Sequence, residues 1–163
     1  MHVQASEWVA RYKTDDTLTG IEFGSRDING SIQGHFPNVT WTGIDLVDGP
    51  LVDVVADAST YTHPELVDIV VCCEVFEHTA VWPEIVANSF EQLKSGGIAI
   101  FTCAGRGRGA HSAVDGEGLR EGEWYENVDE YRFDQVMVTS GFVDIEVEWI
   151  VNPGDVRAFG RRP

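Results

Sequence analysis

The sequence predicts an α/β fold: a mostly parallel sheet with helices on both faces, closed by a C-terminal antiparallel hairpin strand. Three observations carry this expectation. Short apolar runs alternate with stretches of helical spacing, the order that builds a parallel sheet. Four of those runs end in an acid, at Glu22, Asp45, Asp57 and Glu74. Two late runs flank Asn152-Pro153-Gly154-Asp155, a hairpin signal. The chain is organised around Gly20-Ile21-Glu22-Phe23-Gly24-Ser25-Arg26-Asp27-Ile28-Asn29-Gly30, read as a buried strand that turns sharply at its end. Glycine serves there because it accepts positive φ and lets a ligand approach the backbone. An acid at the last inward position is costly to bury without a cation or a donor. The stretch therefore implies a small, partly positive ligand above the carboxyl edge of the sheet.

In chain order, Trp8, Val9 and Tyr12 fall at helical spacing within 4–13, a short docking helix with Ser6 as its cap. The first strand is 19–23, and a brief helix is expected within 27–35. The second strand, 41–46, and the third, 52–57, are separated only by Val47-Asp48-Gly49-Pro50-Leu51. A parallel crossover usually needs a dozen or more residues, so this link is either unusually tight or joins offset strands. Residues 67–74 form a central strand, apolar on both faces. A helix starts at Pro83, with Ile85, Val86, Ser89, Phe90 and Leu93 as its stripe, and Lys94-Ser95-Gly96-Gly97 stops it. The fifth strand is 98–103. Residues 104–123 are glycine-rich and read as a mobile loop. A helix near 128–140 ends at Gly141, and strands at 142–150 and 156–161 form the hairpin. Ligands of such sheets bind over the carboxyl ends of the strands, so the four strand-end acids should line one crevice.

At 163 residues one domain is expected over 1–163. Twenty-seven acidic against eleven basic residues, a net charge of −16, argue against binding a phosphate backbone, which needs clustered Lys and Arg. Cys72, Cys73 and Cys103 lie in apolar runs and do not form a disulfide framework. The start, Met1 to Glu7, has no apolar signal core, and no run approaches membrane-spanning length. These features point to a reducing, cytoplasmic setting.

The residues resemble the class I S-adenosylmethionine-dependent methyltransferases, in particular the small methyltransferase-domain family, from about Thr19 to the closing hairpin. Glu22-x-Gly24 looks like the family's first motif, Gly43-Ile44-Asp45-Leu46 like its second and Asp57-Ala58 like its third. Asp68 to Glu74, followed by Glu77-His78-Thr79, is similar to the fourth-strand region. Leu93-Lys94-Ser95-Gly96-Gly97 is close to the turn before the fifth strand. The resemblance implies a Rossmann-like fold and S-adenosylmethionine as cofactor. It assigns the ribose hydroxyls to Asp45 with Leu46 beside it, and the adenine to Asp57 and Ala58. The methionine carboxylate falls to the loop at Gly24, Ser25 and Arg26, its amino group to Glu22, and the methionine chain to Cys73 and Glu74. The chemistry it implies is in-line methyl displacement, in which positioning supplies much of the catalysis. Arg26 departs from the family's small residue at that position. A left-handed backbone there costs a non-glycine residue about 1–2 kcal/mol.

Imidazole titrates near neutrality, which makes His111 the first choice for general base. His78 positions substrate or caps the next element. Arg106 and Arg108 read either as solvated loop charges or as a clamp for an anionic substrate. Trp124 and Tyr125 wall the acceptor region or seat the loop. The histidines are not spaced as a metal motif, and Glu74-x-x-x-His78 is not a zinc motif, so no metal is expected. The expected partner is a small-molecule acceptor, without nucleic acid or membrane. A homodimer is one way to complete an acceptor site left open by so short a chain. Two other functions fit the same sheet. One is a non-catalytic or partner-dependent S-adenosylmethionine-binding protein. The other is an NAD-dependent oxidoreductase, disfavoured because Gly-x-Gly-x-x-Gly is missing from the loop.

Overall fold

The computed structural model describes residues 3–163; Met1 and His2, the first residues of the start discussed above, lie outside them. The elements are α1 (Val3–Val9), β1 (Leu18–Phe23), β2 (Val39–Asp45), β3 (Val54–Val55), β4 (Val67–Cys73), α2 (Trp82–Gln92), β5 (Leu93–Ala104), α3 (Glu130–Ser140), β6 (Val143–Ile150) and β7 (Asp155–Arg161). They form one seven-stranded sheet in the order β3-β2-β1-β4-β5-β7-β6. Strands β1 to β5 pair in parallel, and β7 enters antiparallel between β5 and β6. The expected α/β class and terminal hairpin are both present.

Period-two alternation along the central strands divides the core. Val70 and Cys72 of β4 and Phe101 of β5 point to one face, where Val86 of α2 and Phe133 and Met137 of α3 cover them. Ile69, Val71 and Ile100 point to the other, beneath Trp8 and Val9 of α1 with Ile32 and Phe36. Both faces of β4 are therefore apolar because both are roofed. Helix α3 ends at the expected Gly141, and the structure adds a cap at its start. The Asp129 side chain accepts from the backbone N–H of Tyr131 and Arg132, and Gly141 closes the helix at φ 101°.

Several local expectations change. Ser6 lies inside α1 and bonds to His35 Nε2 at 2.7 Å, so it is no cap. The brief helix expected within 27–35 is only a 3-10 turn, Gln33–His35. Helix α2 ends at Gln92, and Leu93 to Gly97 already belong to β5. The glycines thus follow the helix at a distance, and the chain turns into strand before them. The third strand is just two residues long, pairing Ile44 with Val54 and Asp45 with Val55. That brevity permits the tight link: β3 has only to begin beside the end of β2. Asp53 pins it, its N–H donating to the Gly43 carbonyl and its carboxylate accepting from Gly43 N–H, both at 2.8 Å. Among the described residues, no helix is long and apolar enough to cross a membrane.

The link packs tightly on the end of β2. A Cβ at Gly43 would stand 1.9 Å from the Leu51 carbonyl oxygen and 2.7 Å from Ser25 Oγ. Gly43→Ala should therefore destabilise the protein by about 1–3 kcal/mol through overpacking, read as a lower urea midpoint with unchanged slope.

Candidate active site

Strands β1 and β4 are neighbours, with Phe23 opposite Cys72, and their chains leave the sheet side by side. Each leaves through a left-handed residue, Gly24 at φ 75° and Glu74 at φ 57°. At Gly24 the conformation alone requires glycine, and a Cβ would also collide with Val75 Cγ2 at 2.2 Å. Glu74 bears the strain of this conformation, about 1–2 kcal/mol for a residue with a Cβ. Two bonds to Thr102 hold it: Glu74 N–H donates to the Thr102 carbonyl at 2.8 Å, and Thr102 Oγ1 donates to Glu74 Oε1 at 2.9 Å. Between the two departing chains, over the carboxyl edge of the sheet, opens a cavity of about 870 Å³.

The residues that the resemblance assigns to the cofactor, with His78 and His111, all line this cavity; Arg106, Trp124 and Tyr125 do not. Glu22, Gly24, Ser25 and Arg26 come from the end of β1, Asp45 and Leu46 from β2, and Asp57 and Ala58 from beyond β3. Cys73, Glu74 and His78 come from β4 and the turn after it, and His111 from the glycine-rich loop. Val81 and Ile85, at the start of α2, add apolar wall that the motifs did not announce. Ile85 falls in the stripe read as helix core, which does not distinguish cavity lining from packing, and Val81 precedes that helix and carried no signal.

Asp45 is oriented by backbone donors: Val47 N–H reaches Oδ1 at 3.0 Å and Arg26 N–H reaches Oδ2 at 3.3 Å. Arg26 is not among the positive-φ residues, so the departure from a small residue carries no backbone penalty here. Asp57 Oδ1 accepts from the N–H and hydroxyl of Ser59, so the turn and ligand readings of this acid coexist. Glu22 is only 6% exposed and accepts from Gln33 Nε2 at 2.9 Å. Burial pushes its carboxyl up from 4.5 to about 7, with Asp27 adding to the rise and the Gln33 bond opposing it.

The far end of the cavity holds an aromatic cluster. The rings of His78 and His111 lie 5.0 Å apart, and Tyr125 packs on both. Burial, and then the neighbouring His111, lower His78 to about 4, so it stays neutral and is a weak base near neutrality. It does not cap α2, whose N-terminus has no side-chain cap. Beneath the rings lies Glu77, fully buried, a residue the sequence offered only as half of a Glu-His pair. Its Oε1 stands 3.9 Å from His111 Nε2. Desolvation first, and the Glu74 charge second, push its carboxyl upward.

Neither loop arginine is a free clamp: Arg108 faces inward, whereas Arg106 stays on the solvated surface in an ion pair. Arg108 bonds to the fully buried Asp155 and stands 3.8 Å from Glu74 Oε2. Arg106 pairs with Glu130 and lies over the Trp149 ring. The glycine-rich stretch, read as mobile, is tied at its base by these pairs and by Tyr125 Oη donating to the Gly109 carbonyl. Trp124 is half exposed and does not line the cavity, whereas Tyr125 seats the loop.

Comparison with known proteins completes the description. A family model for the methyltransferase domain matches residues 4–101. No curated protein matches the chain in sequence. Among solved structures, phosphoethanolamine N-methyltransferase 2 of Haemonchus contortus, in complex with S-adenosyl-L-methionine, superposes with a TM-score of 0.73. The identity is 15%, and the alignment covers 98% of this chain and 52% of that one, so the chain spans about half of the Haemonchus protein. The 1,6-didemethyltoxoflavin-N1-methyltransferase of Burkholderia thailandensis, solved with S-adenosylhomocysteine, gives 0.69 at 15% identity, over 98% of this chain and 76% of that one. The N-methyltransferase NodS of Bradyrhizobium japonicum gives 0.66 at 16% identity, over 98% and 86%. At such identities the likeness is one of fold.

Glu22 makes a measurable contribution to pH dependence. In the unfolded chain it ionises near its ordinary 4.5, whereas the folded protein holds the proton up to about 7. Between these values the folded state binds the extra proton, so its contribution to stability falls as pH rises. Glu77, raised for the same reason, acts with the same sign. The melting temperature of ligand-free Glu22→Gln should therefore decline less over this interval than that of the parent; parallel profiles would remove the assignment.

Proposed function

The chain belongs to the methyltransferase-domain family, whose cofactor is S-adenosylmethionine, and we propose that it methylates a small-molecule acceptor held at the histidine end of the cavity. The observation that carries this is Glu22, a buried carboxylate in a ligand-sized cavity with one side-chain donor, Gln33. Such a group calls for a cation or further donors, and the methionine ammonium is both. On this reading the backbone turn at Gly24, Ser25 and Arg26 receives the methionine carboxylate. Asp45, already aligned by two N–H groups, has acceptor capacity left for the ribose hydroxyls, since each carboxylate oxygen takes more than one donor. Leu46 lies beside the ribose, and Asp57 and Ala58 meet the adenine, with Val81 and Ile85 as apolar wall on one side. Cys73 and Glu74 flank the methionine chain. When bound, the cofactor supplies a methyl group on a positively charged sulfur for in-line displacement.

The acceptor lies toward His78, His111 and Tyr125. His111 is the proposed base, oriented by the Gly109 carbonyl at Nδ1, with the Glu77 carboxyl 3.9 Å from Nε2 to favour the protonated ring. His78 stays neutral and positions the acceptor. A binding-only protein is not favoured, because holding the cofactor does not call for two imidazoles and a buried acid at the opposite end. The net charge of −16 supports a small acceptor over a nucleic acid. A sheet roofed on both faces supports one domain over 1–163, and three free cysteines support a reducing, cytoplasmic setting. A homodimer that closes the acceptor side fits the same reading.

The test is isothermal titration of ligand-free protein with S-adenosylhomocysteine. Hydrogen bonds to a charged group contribute about 1.5–3 kcal/mol, so Asp45→Ala should weaken binding roughly 10- to 100-fold while the variant stays folded. Unchanged affinity would overturn the proposed cofactor pose. NADH fluorescence should be unaffected by the protein.

A further inference from the structure

We propose that Glu77, His78 and His111 form a binding site for one first-row divalent cation, with Zn²⁺ the best match, at the acceptor end of the cavity. Sequence spacing gave no hint of such a site. The fold brings one ligand atom from each residue to within 4.8 Å of the other two. Two of the three side chains carry unspent polar atoms. Glu77 is 0% exposed, yet neither carboxylate oxygen has an aligned hydrogen-bond partner; the N–H groups of Glu77 and Ala104 only favour its charge from nearby. His78 Nδ1 is likewise buried without a partner. Arg108 acts on Glu77 electrostatically, but its guanidinium is bonded to Asp155. A buried carboxylate in this position calls for a cation.

The hydrogen bond at His111 makes the argument specific. Its Nδ1 lies 3.0 Å from the Gly109 carbonyl, which can only accept, so Nδ1 carries the proton. In the neutral ring Nε2 is then a bare lone pair, and it faces Glu77 Oε1, another acceptor, at 3.9 Å. Two acceptors set against each other need something positive between them: a proton on Glu77, whose carboxyl burial pushes upward, or a metal cation, which the neighbouring His78 can also ligate. An imidazole whose far N–H is given to a backbone carbonyl is also the arrangement by which proteins orient metal-binding histidines.

The frame is stiff where it has to be and adjustable where it can be. Glu77 and His78 stand on the 3-10 turn Phe76–His78 directly after β4, and the Glu77 carbonyl accepts from Glu126 N–H at 2.9 Å. His111 comes from the glycine-rich loop. Donors around a tetrahedral ion at about 2.1 Å stand roughly 3.4 Å apart, so a small movement of that loop closes the present gap. Two imidazoles and one carboxylate suit zinc, and three protein ligands leave coordination positions open. His78 and His111 line the cavity, so those positions face it. They would take an oxygen or nitrogen of the acceptor, which predicts acceptors bearing a hydroxyl, carboxylate or amine. This last step rests on the methyl-transfer reading; the cation site does not. With an ion bound, His111 is a ligand and no longer a base.

The experiment is titration of tag-free, chelator-stripped full-length protein with ZnCl₂ in the absence of cofactor, with Co²⁺ substitution read by visible absorption. The expected result is one ion per chain, with d–d bands of imidazole and carboxylate coordination. Glu77→Gln and His111→Ala should each weaken binding by about tenfold or more, whereas His35→Ala, outside the cluster, should not. His111 lies on a loop, so its variant keeps the fold even if Glu77→Gln proves unstable, and far-UV circular dichroism checks both. The proposal is overturned if folded wild-type protein binds no ion, if both variants bind as well as wild type, or if His35→Ala loses as much. Binding of S-adenosylhomocysteine without zinc binding would remove this inference alone. Zinc binding without S-adenosylhomocysteine binding would instead remove the methyl-transfer reading.

Discussion

The rest of the site depends on how two adjacent parallel strands end. β1 and β4 stop at the same level, and each must turn away at once because the other occupies the neighbouring space. Gly24 manages this at φ 75° and Glu74 at φ 57°. Val75 stands where a Gly24 side chain would be, so the two turns are packed against each other. The divergence opens the cavity, and it also leaves Glu22 and Glu74, one at each strand end, facing the same space. A ligand there meets backbone N–H groups and carboxylates together, the combination that a zwitterion with a hydroxylated ring requires.

Electrostatics then divide the cavity into two ends. At the β1–β2 end, Asp45 is held by aligned N–H donors and Glu22 by Gln33. At the other end, Glu77 is buried more deeply and has no aligned donor, with two imidazoles above it. One end thus presents acceptors already oriented by donors, the other a buried acid beside two imidazoles. Arg108, the guanidinium positioned to neutralise the acids, is drawn aside to the fully buried Asp155 at the start of β7. The hairpin thus has a role beyond covering the sheet: it anchors the loop that delivers His111.

The legible part of the fold was the part set by local pattern. Apolar runs at 67–73 and 98–103 read as strands because both their faces are covered, and Gly141 marked the end of α3 because caps are short-range chemistry. The illegible part depended on packing at a distance. Ser6 looked like a cap but bonds to His35, and α2 stopped before the glycines that were read as ending it. The third strand shrank to two residues because Asp53 ties the link back to Gly43.

The sequence by itself determined the α/β class, the strand ends that gather the acids, and the motif residues that reach the cavity from those ends. Alternation and strand-end chemistry repeat within a few residues, so they can be read along the chain. Only the tertiary structure decided that Arg108 turns inward, that Arg26 needs no left-handed backbone, and that Glu77, His78 and His111 converge. The physical reason is long-range packing: Arg26 N–H meets Asp45 at the end of β2, and the loop at 105–123 meets Asp155 of β7 and the turn after β4 when it folds across the sheet edge, all far away in the chain.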